Sequence, residues 1–384
     1  MLLFIYRDVN NMATVKNTKT KKEKKEKEDD IKLPKTKKQK LNSKHKRLIM
    51  IVCGLIVILV GIIVLNLINA NNKDNDNKVT TKKKDKTVET LNVYDVNSNM
   101  RPYAVMIPND AEAKKRQHGI QNAYLVYEIT VEGGITRLMA LYKDVKVDKI
   151  GPTRSSRHYY LDYALESDAI YVHFGWSPYA QSDIKSLGIN NLNGLYNPSN
   201  MFWRDKKYSA PNNAFTNTDN IKKAAEDKKY RTTSDNYQLL KYKKNVDLSS
   251  DETYKAATNV KVDYLGSSVK YVYDEANKYY LRFNGDNPHI DLNTNEQVHV
   301  KNIIVMNMGI SSIAGDEKGR QELYDVGNGE GYLITNGQSI EITWSKSSRN
   351  AKTVYKNKKG EEINVDDGNT FIQIKPTSKS VTIE

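Results

Sequence analysis

Two short stretches hold most of the side chains that could do chemistry. The first is Gly151-Pro152-Thr153-Arg154-Ser155-Ser156-Arg157-His158, where two guanidinium forks and three hydroxyls precede a helical pattern. Arginine forks match the planar oxygens of carboxylate and phosphate, and backbone N–H groups at a helix start add partial positive charge. Thr153, Arg154, Ser155, Ser156 and Arg157 are therefore the expected cradle for a phosphate, sulfate or carboxylate. Helix capping with surface arginines is the competing reading, but three hydroxyls and two arginines exceed what one cap requires.

The second stretch runs from Glu128 to Arg137. If Gly133-Gly134 is a two-residue hairpin turn, Glu132 faces Ile135 and Thr130 faces Arg137. Period-two alternation then puts Glu128, Thr130, Glu132 and Arg137 on one face, and Tyr127, Ile129, Val131, Leu138 and Ala140 on the other. Arg137 would lie diagonal to both glutamates, either as a positioned arginine in a polar site or as part of a cross-strand ion-pair ladder. Four residues along one strand separate Glu128 from Glu132 by roughly 13 Å. Paired carboxylates of glycosidases stand about 5–9.5 Å apart, so a hydrolytic partner would have to come from elsewhere, such as Glu166 or Asp168.

His173 ends the apolar run Ala169 to Phe174 just before a turn, where α/β sheets display site residues; a satisfied core histidine is the competing reading. His118, His158 and His173 are scattered and the single cysteine, Cys53, lies in an apolar run, so neither a metal site nor a disulfide framework is expected. No phosphate-binding glycine loop, nucleophile elbow or dinucleotide fingerprint occurs, and no cofactor is expected.

The elements that must position these residues are legible in outline. Tyr103 to Ile107, Ala123 to Glu132 and Ile135 to Lys143 read as strands, the last two as a hairpin. A helix is expected from Ser155-Ser156 to near Glu166 with Ser or Thr as N-cap, then the buried strand, a helix from Ser177-Pro178 toward Leu187, and another from Thr218 to about Lys229. From Val260 onward the pattern turns to short strands: Tyr271 to Tyr273, Tyr279 to Phe283, Val298 to Met306, Gly331 to Thr335, Ser339 to Trp344 and Thr370 to Ile374. The expectation is α+β: a mixed α/β segment over 98–240, a linker over 241–259, and a β-rich domain over 260–384, a sandwich or curled sheet.

An unbroken apolar run from Leu48 to Leu65, continuing to Ile68, is long enough to span a bilayer at 1.5 Å per residue. From Lys16 to Arg47 fifteen Lys or Arg stand against five acids, a surplus of ten. The positive-inside rule then keeps residues 1–47 in the cytoplasm as a disordered basic tail, makes 48–70 a single-pass helix and 71–97 a tether, and puts the rest outside the cell. The tail would also meet anionic lipid headgroups at the inner leaflet. It supplies most of the net charge of +14, so the remainder is nearly balanced and no nucleic-acid partner is expected. Val52 before Cys53, with the apolar run continuing beyond, does not fit a lipidation signal.

Arg101-Pro-Tyr-Ala-Val-Met-Ile107, Val131-Glu-Gly-Gly-Ile-Thr-Arg137, Ile150-Gly-Pro-Thr-Arg-Ser-Ser-Arg157 and Ala164 to His173 together resemble the YerB family of bacterial envelope proteins. Ala210-Pro-Asn-Asn-Ala-Phe-Thr216, Asn302 to Val305, Gly319-Arg320, Gly327 to Gly331 and Thr343-Trp344 extend the resemblance over about residues 98 to 376. It implies a two-domain extracytoplasmic protein of Gram-positive type bacteria, a domain of unknown function, with Glu132, Arg137, Arg154, Arg157 and His173 at motif positions. The family pattern tends to Pro-His-Asn where this chain has Pro211-Asn212-Asn213, which counts against a mechanism needing a histidine there. The expected function is an envelope-anchored binding or regulatory protein, with a cell-wall component or cell-wall assembly protein as partner. A hydrolase of envelope polymers and a structural spacer module are the alternatives.

Overall fold

Apolar and aromatic residues dominate β1 (Tyr103–Pro108), β2 (Leu125–Thr130) and β3 (Thr136–Tyr142), and every residue of the three is buried. Covered on both faces, they read as near-continuous apolar runs instead of alternating ones. The computed structural model describes residues 91–384 except Val96, Asn236 and Tyr237. The expected basic tail, the membrane helix over 48–70 and most of the tether lie outside those residues. Among the described residues no helix is long and apolar enough to cross a membrane.

Helices α1 (Ala111–Lys114), α2 (His158–Glu166), α3 (Pro178–Ser186) and α4 (Thr218–Asp227) and strands β4 (Ile170–His173) and β5 (Asn191–Asn193) complete the first half. Helix α3 starts as the sequence predicts, with Pro178 in its first turn and the Ser177 hydroxyl accepting from Ala180 N at 3.1 Å. Helix α2 does not: Arg157 is its N-cap and caps with no side-chain bond. Ser155 and Ser156 precede the helix because their hydroxyls are held by β4 and the turn after it, as described below.

The second half contributes β6 (Asn259–Asp263), β7 (Ser268–Asp274), β8 (Tyr279–Asn284), β9 (Asn302–Met308), β10 (Gly327–Thr335), β11 (Gln338–Lys346), β12 (Val354–Asn357), β13 (Thr370–Pro376) and β14 (Val381–Ile383). These strands do not close into a sandwich of their own. One sheet of eleven strands runs β12-β11-β10-β9-β13-β2-β3-β1-β4-β5, with Lys255–Ala256 paired to β11. Strand β13, buried along all seven residues, lies parallel to β9 on one side and to β2 on the other, pairing Ile372 with both Ile304 and Tyr127. An apolar strand of this kind stays covered only in a sheet interior, which explains why the β-rich half joins the first half. A smaller sheet is built around β8-β7-β6-β14.

The large sheet separates two cores. Tyr127, Ile129, Met139, Ile304 and Ile372 share one with Tyr159, Tyr160 and Tyr163 of α2 and Ile184 of α3. Val126, Leu138, Ala140, Val305 and Phe371 share the other with Val260, Val269 and Tyr280 of the small sheet and Ile221 and Ala224 of α4.

The β2–β3 register differs by one residue from the expected one. Thr130 pairs with Thr136, Ile129 with Arg137 and Glu128 with Leu138, because a short 3-10 turn at Glu132–Gly134 makes a five-residue connection closed by Val131 N donating to Ile135 O at 2.8 Å. A one-residue slip reverses the faces. Arg137 therefore sits on the α2 side with Tyr127 and Ile129, and Glu128 on the opposite side. Both turn glycines have positive φ, as a Gly-Gly connection allows, and a Cβ on Gly134 would meet Gly266 N at 3.0 Å, so the tip also needs glycine to dock on the β6–β7 turn.

Candidate functional site

Strands β1 and β4 run parallel and pair from Tyr103–Ile170 to Val105–Val172, then separate. The segment 152–156 enters the gap. Arg154 N donates to Met106 O at 2.9 Å and Arg154 O accepts from Phe174 N at 2.9 Å, while Ser156 N donates to Gly175 O. Gly151 makes the entry possible: with φ +138°, a Cβ would meet Phe215 at 3.0 Å and Ala214 O at 3.1 Å. Carboxyl ends of parallel strands that splay apart are where open α/β sheets hold ligands. Here segment 152–156 fills that gap, and Arg154 and Arg157 gather beside the strand ends with Arg137 of β3 and with Glu132 from the tip after β2 as an arginine cluster.

Arg157 grips Glu132 in a fork, Nε to Oε1 at 2.5 Å and Nη2 to Oε2 at 2.9 Å, while its Nη1 donates to Ser156 O at 2.8 Å. Burial would raise the Glu132 carboxyl, but Arg157, with Arg137 beyond it, holds it below the usual carboxylate range. Arg137 is buried, donates from Nη1 to Ser155 O at 2.5 Å, and leaves Nε without a partner. Burial, reinforced by repulsion from Arg157, pushes its guanidinium down to about 10. Arg154 is half-buried, with its Nε unpartnered. Burial lowers it too, Asp110 partly restores it, and Arg157 opposes it. Asp110 is committed elsewhere: it accepts from Glu112 N at 3.2 Å and Ala113 N at 3.0 Å at the start of α1, and from Asn212 Nδ2 at 3.1 Å. Among the described residues neither Arg137 nor Arg154 has a carboxylate within ion-pair distance.

The predicted residues divide. Glu132, Arg137, Arg154 and Arg157 come together. Ser155 and Ser156 lie beside them but face inward: Ser155 Oγ donates to Phe174 O at 3.1 Å, and Ser156 Oγ accepts from Tyr171 OH at 2.9 Å. Thr153 Oγ1 is buried without a partner. His173 is buried, with Nδ1 2.7 Å from Gly175 O and Nε2 3.2 Å from Asn191 Oδ1, and burial pushes it down to about 4. Burial favours its neutral form, whose one N–H fits Nδ1 donating to Gly175 O and ties β4 to the turn that follows it.

The other carboxylates weighed for acid–base chemistry are held internally. Glu128 Oε2 pairs with the fully buried Arg282 Nη2 at 2.7 Å, and its Oε1 accepts from Asn109 Nδ2 at 3.0 Å and Thr136 Oγ1 at 2.7 Å. Glu166 accepts from Tyr127 OH, Lys346 Nζ and Thr353 Oγ1, each at 2.7 Å. Asp168 pairs with Arg231 at 2.6 Å and Arg101 at 3.4 Å. Sequence reasoning missed Arg320, which reaches Glu132 at 3.9 Å while paired to Asp316 at 2.6 Å. The Gly319-Arg320 motif was visible, but nothing in the sequence brings it to a hairpin tip so far back in the chain.

A mixed sheet completed by a strand from the far end of the chain, with an arginine cluster where two parallel strands part, defines the class. The segment 90–231 matches the N-terminal domain of the DUF3048 family, a protein of unknown function, and 259–372 matches its C-terminal domain. This chain belongs to that YerB-like family. It is 32% identical over 287 residues to the putative lipoprotein YerB of Bacillus subtilis (strain 168), covering 74% of this chain and 83% of the relative. The crystal structure of YerB from Bacillus subtilis superposes with a TM-score of 0.64 at 30% identity, over 74% of this chain and 94% of that one.

Proposed function

We propose that this protein is a membrane-anchored, extracytoplasmic binding or regulatory protein of the bacterial envelope, and that the arginine cluster beside β1 and β4 receives an anionic group of a wall component or an assembly protein. The observation that carries the reading is the pair of guanidinium groups at Arg137 and Arg154, partly or wholly desolvated and without a carboxylate at ion-pair distance. A buried cation is costly unless something compensates it, and a bound carboxylate or phosphate would do so with a bidentate fork. The apolar run over 48–68 and its basic tail supply the anchor as a single-pass helix, and the name of the Bacillus relative, a putative lipoprotein, agrees with attachment to a membrane. Binding is favoured over hydrolysis because Glu128, Glu132, Glu166 and Asp168 are each tied to a cationic side chain.

The test is in-cell crosslinking of the full chain, recovered from alkali-washed membranes and read by mass spectrometry, comparing wild type with Arg154→Ala and Arg154→Lys at matched abundance. Arg154 makes no side-chain bond within the fold, so its removal should leave thermal unfolding nearly unchanged. A partner or wall fragment lost in the alanine variant and partly regained in the lysine variant is the expected result. Identical crosslinks in all three forms would sink the assignment of the arginine cluster.

A further inference from the structure

A concave site lies beside α2 and α3, and its charge is opposite to that of the arginine cluster. The cavity measures about 480 Å³ and is lined by His158, Asp162, Tyr179, Glu322, Tyr324 and Asp325, with Arg349 at one side. Asp325 is buried, and its Oδ2 has no hydrogen-bond partner. The neighbouring cations are engaged elsewhere. Lys346 Nζ is held by Glu166 Oε2 at 2.7 Å and Ala351 O at 2.5 Å. Arg349 bridges Asp162 and Asp183, at 2.7 Å to each. His158 Nε2 stands 3.1 Å from Glu322 Oε1. Asp325 is thus a buried carboxylate facing a cavity with no cation assigned to it.

We propose that this cavity binds a primary ammonium group on a flexible arm, such as a lysine side chain, with Asp325 as its counter-charge and Tyr179 and Tyr324 as its rim. An ammonium carries three donors and no acceptor, which suits a site whose unpartnered polar atoms include the Asp325 oxygen and whose rim holds the Glu322 carboxylate, its Oε1 3.1 Å from His158 Nε2. The rings of Tyr179 and Tyr324 are 38% and 60% exposed, and aromatic faces attract desolvated cations. Tyr324 is held in place by its hydroxyl, 3.0 Å from Ser311 Oγ, and Tyr179 packs on the His158 ring at 5.7 Å. Among the described residues no three His, Cys, Asp or Glu side chains converge as a metal-ligand set, so the fit is to an organic cation.

The charged and titratable groups around Asp325 set the pH dependence. Burial, then repulsion from Asp162, with Glu166 adding to it, push Asp325 up to about 7 against the attraction of Lys346. The Tyr163 hydroxyl nearby, also without a partner, is raised by burial and by Asp325 itself. Proton and ligand compete for the same oxygen, so binding should strengthen as pH rises. Between pH 8 and pH 6 the ionised fraction of a group titrating near 7 falls about tenfold, and affinity should fall with it.

The experiment titrates the full chain in detergent micelles with Nα-acetyl-lysinamide, using Nα-acetyl-norleucinamide as the uncharged control and calorimetry as the readout. The expected result is binding of the lysine probe alone, weakening about tenfold from pH 8 to pH 6, lost in Asp325→Asn and unchanged in Arg154→Ala. Asp325→Asn removes a buried unpaired charge, so it should fold at least as well as wild type, which a thermal scan checks. Failure of the lysine probe to bind, equal binding of the norleucine probe, or binding unaffected by Asp325→Asn would overturn the proposal. The Arg154→Ala control keeps this outcome separate from the fate of the arginine cluster.

Discussion

Glu166 and Lys346 are both fully buried, 2.7 Å apart, with Tyr127, Thr353 and Ala351 satisfying their remaining groups. The pair joins the end of α2 to the end of β11, residues 180 positions apart. Such a pair adds little net stability over well-packed apolar residues, but removing one member strands a charge in the interior, which costs about 3–5 kcal/mol. Glu166→Ala should therefore lower unfolding stability by about that amount, measured by urea titration. The double change Glu166→Leu with Lys346→Met should recover most of the loss. A small effect of Glu166→Ala alone would mean that water reaches Lys346 and that the carboxylate is accessible enough to reconsider for chemistry. Glu128 with Arg282 follows the same logic on the other face of the sheet, where Arg282 Nη1 also reaches Asn284 Oδ1 at 3.0 Å.

At the scale of elements, strand positions and the β2–β3 hairpin were legible, and the other strand neighbours were not. Apolar and β-branched runs locate β1, β2, β3, β4 and β13 in the sequence because burial on both faces demands such residues. Register is set by the connection, and nothing in Val131-Glu-Gly-Gly-Ile135 distinguishes a two-residue turn from the 3-10 turn that moves Arg137 to the α2 side. The same division holds for the site. Glu132, Arg137, Arg154 and Arg157 stood out by type and local spacing. The inward turn of Ser155 and Ser156, the engagement of His173 and the approach of Arg320 depend on contacts between distant segments. Strand β13 is the largest such dependence, since it gives β2 its second neighbour. A chain ending at Asn369 would expose the apolar edges of β2 and β9 together. It should lose protection from proteolysis in residues 98–240, although none of them is removed. Protection of β1 to β3 persisting in that truncated chain would show that the first half folds alone.

Among the described residues the large sheet runs through both halves, and the arginine cluster and the acidic cavity each draw residues from both. The tip that carries Glu132 docks through Gly266 N donating to Gly134 O at 2.8 Å, and Tyr264 OH donates to Glu128 O at 3.2 Å and Gln373 Oε1 at 2.9 Å. The arginine cluster is approached by Arg320, and the acidic cavity has α2 and α3 on one side and residues 322–326 and Arg349 on the other. Division into segments 98–240 and 260–384 thus describes the sequence, while the energetics point to one cooperative unit: separating the halves would break the β2–β13 ladder, expose buried Tyr127, Ile129 and Phe371, and strand the ion pairs of Glu128 and Glu166. No intermediate that keeps one half intact avoids all three costs. Scanning calorimetry should therefore give a single transition with equal calorimetric and van't Hoff enthalpies, and both halves should lose amide protection together in hydrogen exchange. Two resolved transitions, with the residues before Lys241 melting apart from those after Asn259, would establish independent domains and make each site a property of its own half.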